Sequence, residues 1–415
     1  MSDPPPAATS APHALIAGAG IGGLTAALCL ARVGWQITLL ERAPVLEEAG
    51  AGLQISPNAS AILRDLGVLP RLKGGLAPEV LLVRRGQTGA ILARMPLADA
   101  AARWGAPYLV AHRADLQRAL LESVADEPRI RLMTGIGVAG FALQADTLKI
   151  AGTSGPIRLQ FEADCMIGAD GVRSFVRERL GFSGTPRRAR ARQTAWRTLI
   201  DASALDPAWR TPQSTLWLGA GAHLVTYPLR GGTVINVVAV LEETRPPQTA
   251  SPDATWSAEG DPNVIARRFT GWNRQINALI SKAPDWMTWP LVDLDPLPRW
   301  TQARIALLGD AAHPVLPFLA QGAAQAIEDA AALAHALPAG RAIEPGLRAY
   351  AASRQARAAR VQLASRRQGG IYHLSDAAAF ARDLALGLLG GARLLARYDW
   401  LYGSAATPRE HPAFK

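Results

Sequence analysis

Cysteine is nearly missing from this chain of 415 residues. Cys29 and Cys165 lie far apart inside apolar segments, which argues against a disulfide framework or a cysteine metal centre and predicts two buried free thiols in a reducing, cytoplasmic setting. Long hydrophobic runs are also lacking. Arg, Gly or polar residues interrupt each candidate well before the roughly 18 to 20 apolar residues needed to cross a bilayer. Residues 1–12 carry no apolar run either, so they are expected to form a loose tail rather than a secretory signal, and the protein is expected to be soluble. Basic residues outnumber acidic ones, 44 to 34, for a net charge of +10. They are mostly scattered Arg, without a basic block interleaved with aromatics, so nucleic acid is not an expected partner. No Ser-His-Asp or metal-ligand spacing stands out, and no metal is expected.

What is present is a globular composition, 49% hydrophobic, long enough for roughly two to three domains. Residues 14–17 read as a strand, 18–23 as a glycine turn, 24–33 as a helix and 37–40 as a second strand ending at Glu41, a βαβ unit. Helical spacing returns at 115–125, and 164–168 reads as a buried strand entering a turn. From about 195 to 242 the pattern changes to short β-rich runs, at 216–218, 224–227 and 234–240. Residues 244–262 are expected to form a surface connection, and a third apolar strand at 305–308 runs into Gly309 and Asp310. The expected division assigns 13–75, 106–185 and 299–343 to a nucleotide-binding domain, 76–105 and 186–298 to a sheet-based substrate domain, 344–402 to a C-terminal helical segment and 403–415 to a tail. The Leu- and Arg-rich C-terminal helix is expected to pack on its own domain rather than on a membrane.

The first chemical signature is G-A-G-I-G-G, with glycines at 18, 20 and 23. Gly18 permits the tight turn, Gly20 lets the backbone approach a pyrophosphate, and Gly23 lets helix and strand pack closely. Glu41 follows about 20 residues later, where a carboxylate can accept hydrogen bonds from a ribose. This Rossmann-type unit alone does not distinguish FAD from NAD. Two later segments do: G-A-D-G-V-R-S at 168–174 and L-L-G-D-A-A-H-P at 307–314.

With these three ordered motifs, the chain resembles the single-component flavin-dependent aromatic hydroxylases, the group that includes 4-hydroxybenzoate, salicylate and 3-hydroxybenzoate hydroxylases. The resemblance runs from about His13 to Leu401. It implies an α/β fold, in which a glutathione-reductase-like FAD-binding domain is interleaved with a β-sheet substrate domain and followed by C-terminal helices. FAD would be non-covalent, with NADH or NADPH as a transient co-substrate. The implied reaction hydroxylates a small aromatic, phenolic-acid substrate with O2 through a flavin hydroperoxide, in a monomer or homodimer. The resemblance assigns Gly18, Gly20 and Gly23 to the pyrophosphate turn, Glu41 and Arg42 to the adenosine end, and Arg113 to the flavin side. It links Asp170 and Gly171 to FAD and the nicotinamide nucleotide, gives the ribityl chain to Gly309 and Asp310, and sets the amides near Gly322 and Ala323 beside the reduced ring. Ala320 and Ala324 depart from the Gly and Asn usual in relatives.

The segment H-L-V-T-Y-P, from His223 to Pro228, resembles the part of 3-hydroxybenzoate hydroxylases that keeps a His and a Tyr at the site. Four-residue spacing on a strand points His223 and Tyr227 to one face, and a histidine, whose pKa before any tuning lies in the useful range, is suited to taking a phenol proton. Pro317 falls where related hydroxylases line the reacting side of the flavin, whereas the 3-hydroxybenzoate group resembles something more polar there. His112 is expected to bond local backbone, Trp286 and Trp289 to pack, and the acidic pairs Glu47-Glu48 and Glu328-Asp329 to lie on helix surfaces or caps. The alternatives left by sequence are a flavin oxidoreductase or epoxidase of the same fold, and a non-catalytic flavin-binding sensor.

Overall fold

The computed structural model describes residues 11–46, 51–182, 187–188, 193–243 and 258–403. The expected tail up to residue 10, the Glu47-Glu48 pair, residues 244–257 of the expected connection and the tail from residue 404 lie outside the described residues.

The first strand, His13–Ala17, is almost wholly apolar and sits inside a six-stranded sheet. Across that sheet run Thr301–Gln302, Ile305–Leu307, Cys165–Gly168, His13–Ala17, Gln36–Leu40 and Ile130–Met133. All pair in parallel except the first two, which are antiparallel. Near-continuous apolar strands of this kind suit a parallel sheet covered on both faces. Cys29 and Cys165 are buried free thiols in this part of the molecule, and burial raises the pKa of each, Cys29 to about 12.

The helix after the glycine turn spans Ile21–Arg32, three residues earlier than its apolar spacing predicts. Leu24 N donates to Gly20 O at 2.9 Å, which starts the helix there. Gly22 lies inside it because a Cβ at that position would stand 3.0 Å from Ala326 Cβ, on helix Gly322–Ala336. Helix Arg113–Ala125 likewise starts earlier than its spacing predicts, because the His112 side chain caps it by accepting from Ala114 N at 3.2 Å.

A second, eight-stranded sheet runs in the order Ala258–Glu259, Met287–Pro290, Gln193–Asp201, Val234–Glu242, Ala222–Leu229, Gln213–Gly219, Val80–Arg85 and Ile91–Pro96. One face carries Trp196, Leu224, Val237 and Ala239, which pack with Ile265 of helix Pro262–Arg268, with Phe269 just past its end, and with Ile276 and Leu279 of helix Arg274–Ser281. Since side chains alternate along a strand, the other face carries Ala195, Arg197, His223, Val225, Tyr227, Val238 and Val240. The register confirms it: Arg197 pairs with Val238 and Val238 with Val225, while His223 pairs with Val240 and Tyr227 with Asn236.

One expectation is corrected here. Glu328 and Asp329 are not surface residues: they are 3% and 0% exposed, on helix Gly322–Ala336, and pair with buried Arg354 of helix Ile343–Tyr372. Adjacent carboxylates are tolerated in the interior because the Arg354 guanidinium reaches both, while Arg357 and Asn58 bond Glu328. The helix Asp376–Leu389 turns Arg382 and Asp383 inward and leaves Phe380, Leu384 and Leu388 exposed. Arg382 faces inward because it donates to the carbonyls of Ile371 and Tyr372, at the end of the preceding helix, while Asp383 pairs with Arg85.

Candidate active site

The glycine turn begins where the first strand stops. Gly18 has φ +102°, and a Cβ on it would stand 2.5 Å from the Ala169 carbonyl oxygen; a Cβ on Gly23 would lie 1.9 Å from the carbonyl oxygen of Gly18. Both positions therefore demand glycine for packing. Gly20 differs, because a Cβ on it would meet no atom of the described residues within 4 Å beyond its chain neighbours, and it borders a cavity of about 370 Å³. Glu41 accepts from Ala19 N and Ala43 N, each at 2.9 Å, and so braces the turn from the end of the second strand. Neighbouring Arg42 packs over Gly137.

The cavity lies between the nucleotide-binding turns and the eight-stranded sheet. On one side it is lined by Gly20, Arg113, Gly171, Gly309, Asp310, Pro317, Gly322 and Ala323, and on the other by Arg197, His223, Val225, Tyr227, Val238 and Val240. Gly18, Gly23, Glu41, Arg42 and Asp170 stand outside it. Asp170 serves its own turn, where it accepts from Ser174 Oγ at 2.5 Å and Val176 N at 3.0 Å, at the start of helix Phe175–Arg179.

The lining fits a flavin dinucleotide. Gly20, Gly171 and Gly322 all leave open space where a side chain would be, so a ligand can approach their backbone closely. Helix Gly322–Ala336 opens at the cavity, and its free amides and dipole favour negative charge there. Arg113 supplies a fixed positive charge at the cavity edge. Asp310 is open to the cavity yet deep in the fold; burial raises its carboxyl pKa, while His313 and Arg113 pull it back. A carboxyl so placed suits a polyhydroxyl chain.

On the sheet side, Arg197 is sunk in the fold with the Trp289 ring 5.1 Å from its guanidinium carbon. Its Nε is buried without a hydrogen-bond partner among the described residues. Burial lowers the Arg197 pKa, and Tyr227 acts in the opposite sense. His223 is 3% exposed, with Phe318 and Tyr372 packed on its ring. Burial, and then His373, hold its pKa well below 6.5. Burial thus tunes the imidazole away from its ordinary value, because the ring has lost the water that would stabilise its charge. Tyr227 is buried as well, which raises its pKa. A Cβ on Gly52 would stand 2.6 Å from the Tyr227 ring, and Gly52 N donates to Asn236 Oδ1 at 2.7 Å, which ties strand Gly52–Ile55 to the sheet.

Sequence reasoning overlooked Arg197, His373 and Asn236. It also took Trp289 as packing alone, whereas the ring lies against Arg197. The signal available for Arg197 was a charged residue within an otherwise apolar strand pattern, A-W-R-T-L-I.

Residues 12–365 match the family described as FAD binding domain. The chain is 38% identical over 395 residues to 3-hydroxybenzoate 6-hydroxylase 1 of Aquipseudomonas alcaligenes, covering 94% of this chain and 97% of that protein. It is 37% identical over 413 residues to 3-amino-4-hydroxybenzoate 2-monooxygenase PtnB3 of Streptomyces platensis, covering 96% and 98%. Among solved structures, Klebsiella pneumoniae HpxO complexed with FAD and uric acid superposes with a TM-score of 0.81 at 26% identity, covering 94% and 96%. The chain belongs to the FAD binding domain family and, by likeness over nearly its whole length, to the FAD-dependent monooxygenases within it. FAD is its cofactor.

Proposed function

We propose that the protein hydroxylates a small phenolic acid, using FAD, O2 and NADH or NADPH. The observation that carries this reading is Arg197, a guanidinium sunk beside the cavity with a buried Nε that has no hydrogen-bond partner among the described residues. A buried donor left without an acceptor is costly, and a carboxylate oxygen of an anionic substrate satisfies it. A carboxylate at Arg197 leaves the aromatic ring against Val225, Val238 and Val240, with His223 and Tyr227 as the polar groups of the same sheet face.

When bound, FAD supplies the redox and oxygen-activating chemistry, held by Gly20, Arg113, Asp310 and the amides of Gly322 and Ala323. Arg197 orients the substrate. His223, neutral because burial lowers its pKa, accepts the phenol proton and makes the ring more nucleophilic. The valines exclude water, and Pro317 borders the reacting side. Substrates of the two curated relatives are hydroxybenzoates by name, which supports the same class here.

The test is oxygen uptake by the FAD-loaded protein with NADH or NADPH, adding salicylate, 3- and 4-hydroxybenzoate and 6-hydroxynicotinate singly. One of them should stimulate uptake and yield a hydroxylated product. If none does, the phenolic-acid reading is wrong.

A further inference from the structure

We propose that His223, His373 and Glu242 form a proton path from the cavity to solvent, in which His373 and Glu242 are positioning residues that fix the acceptor side of His223 and carry its proton away. The proposal rests on the phenolic-acid reading above. His223 Nδ1 stands 2.8 Å from His373 Nε2, and His373 Nδ1 stands 2.8 Å from Glu242 Oε1. The two histidines are buried, whereas the Glu242 side chain is 39% exposed. The chain of contacts thus begins at the cavity wall and ends at water.

The carboxylate sets the direction of every hydrogen bond. An ionised Glu242 only accepts, so His373 carries its ring proton on Nδ1 and turns a bare Nε2 toward His223. His223 then carries its proton on Nδ1, which leaves Nε2 as the ring nitrogen for a substrate oxygen. Gln193 Nε2 lies 3.2 Å from His373 Nδ1 and 3.4 Å from Glu242 Oε1, and donates to the carboxylate. The charged groups facing His373 are Glu242, Arg268 from helix Pro262–Arg268 and Arg382 from helix Asp376–Leu389; Tyr372 faces His223. Burial first, and then both arginines, oppose a positive charge stored on His373, whereas Glu242 beside it favours the proton, so a proton accepted by His223 is drawn on toward the carboxylate.

The step balances without any change of oxidation state. The phenol O–H bond breaks and its proton joins His223 Nε2. The Nδ1 proton of His223 passes to His373 Nε2, the Nδ1 proton of His373 passes to Glu242, and the carboxyl releases it to water. Phenolate remains in the cavity. Run backwards, the path reprotonates the product oxygen and restores both tautomers.

The experiment mixes FAD-loaded enzyme with 3-hydroxybenzoate, 4-hydroxybenzoate or salicylate by stopped flow, without NAD(P)H, and follows proton release with an indicator dye. The wild type should release protons on binding at a rate nearly constant from about pH 6.5 to 9. Glu242→Gln and His373→Gln should bind the same acid with Kd within about threefold, release protons at least about tenfold more slowly, and speed up as pH rises and hydroxide takes over. Wild-type rate and pH profile in both variants would overturn the path while leaving the phenolic-acid reading intact. Absence of binding of all three acids to the wild type would sink that reading, and the path with it.

Discussion

Asp329 and Arg354 meet at 2.7 Å where neither has access to water, being 0% and 2% exposed. Asp329 also accepts from Gly309 N at 3.0 Å and contacts His313 Nε2 at 2.5 Å. One buried carboxylate therefore fastens the turn that presents Asp310 to the cavity. Asp329→Asn should lower stability by about 3 kcal/mol, since removing one partner of a buried pair strands the other; thermal melting of the FAD-free protein checks it.

The same residue makes a pH prediction. Burial alone would raise the Asp329 pKa, but His313 and Arg354 outweigh it and hold the carboxyl at about 2. A depressed folded pKa gives stability that is fully present above the unfolded value, about 3.9, and is lost as pH falls toward 2. Urea midpoints measured from pH 5 down to pH 2 should show this loss in the wild type and a shallower one in Asp329→Asn. Equal slopes would contradict it.

Gly20 and Gly23 should separate binding from folding. A Cβ at Gly23 meets the Gly18 carbonyl oxygen at 1.9 Å, whereas one at Gly20 meets nothing within 4 Å. Gly23→Ala should destabilise the protein, with or without FAD. Gly20→Val should melt near the wild-type temperature when FAD-free but bind FAD at least about tenfold more weakly, because the side chain fills space the cofactor backbone contacts require. Fluorescence titration with FAD and melting of both proteins give the answer.

These glycines were legible in sequence because each constraint is local: a turn and a close approach allow one residue type at a fixed spacing. Strand and helix periodicity likewise exposed the two sheets. The unread part of the site is made by distant pairings. His223 meets His373 across 150 positions, and nothing near either residue signals the other. Arg197 becomes a site residue only through the register that aligns it with Val238 and Val225. Asp170 shows the opposite case: its motif is legible, but its carboxylate is used by Ser174 and Val176.

Arg197→Gln should discriminate between acids and neutral phenols. If the guanidinium holds a carboxylate, the variant should bind phenolic acids at least about tenfold more weakly, the lower end of what a charge-assisted pair contributes. Binding of uncharged phenols should change far less. Isothermal titration with a matched pair, 3-hydroxybenzoate and 3-hydroxybenzamide, tests this; equal losses for both would remove Arg197 from carboxylate recognition.

Ala320 ends the turn Pro317–Leu319 in the left-handed region, with φ 53° and ψ 39°. A Cβ in that conformation costs roughly 1 kcal/mol or more, and the residue borders the cavity. Ala320→Gly removes the strain but makes the unfolded chain more flexible, which offsets about 0.4 to 1 kcal/mol of the gain. The net effect should be a small stabilisation of the FAD-free protein, whereas Ala320→Val, β-branched and forced into the same φ, should lose stability outright. Chemical denaturation of the three proteins decides the matter. A less stable glycine variant would mean that contacts made by the Ala320 methyl group outweigh its backbone strain.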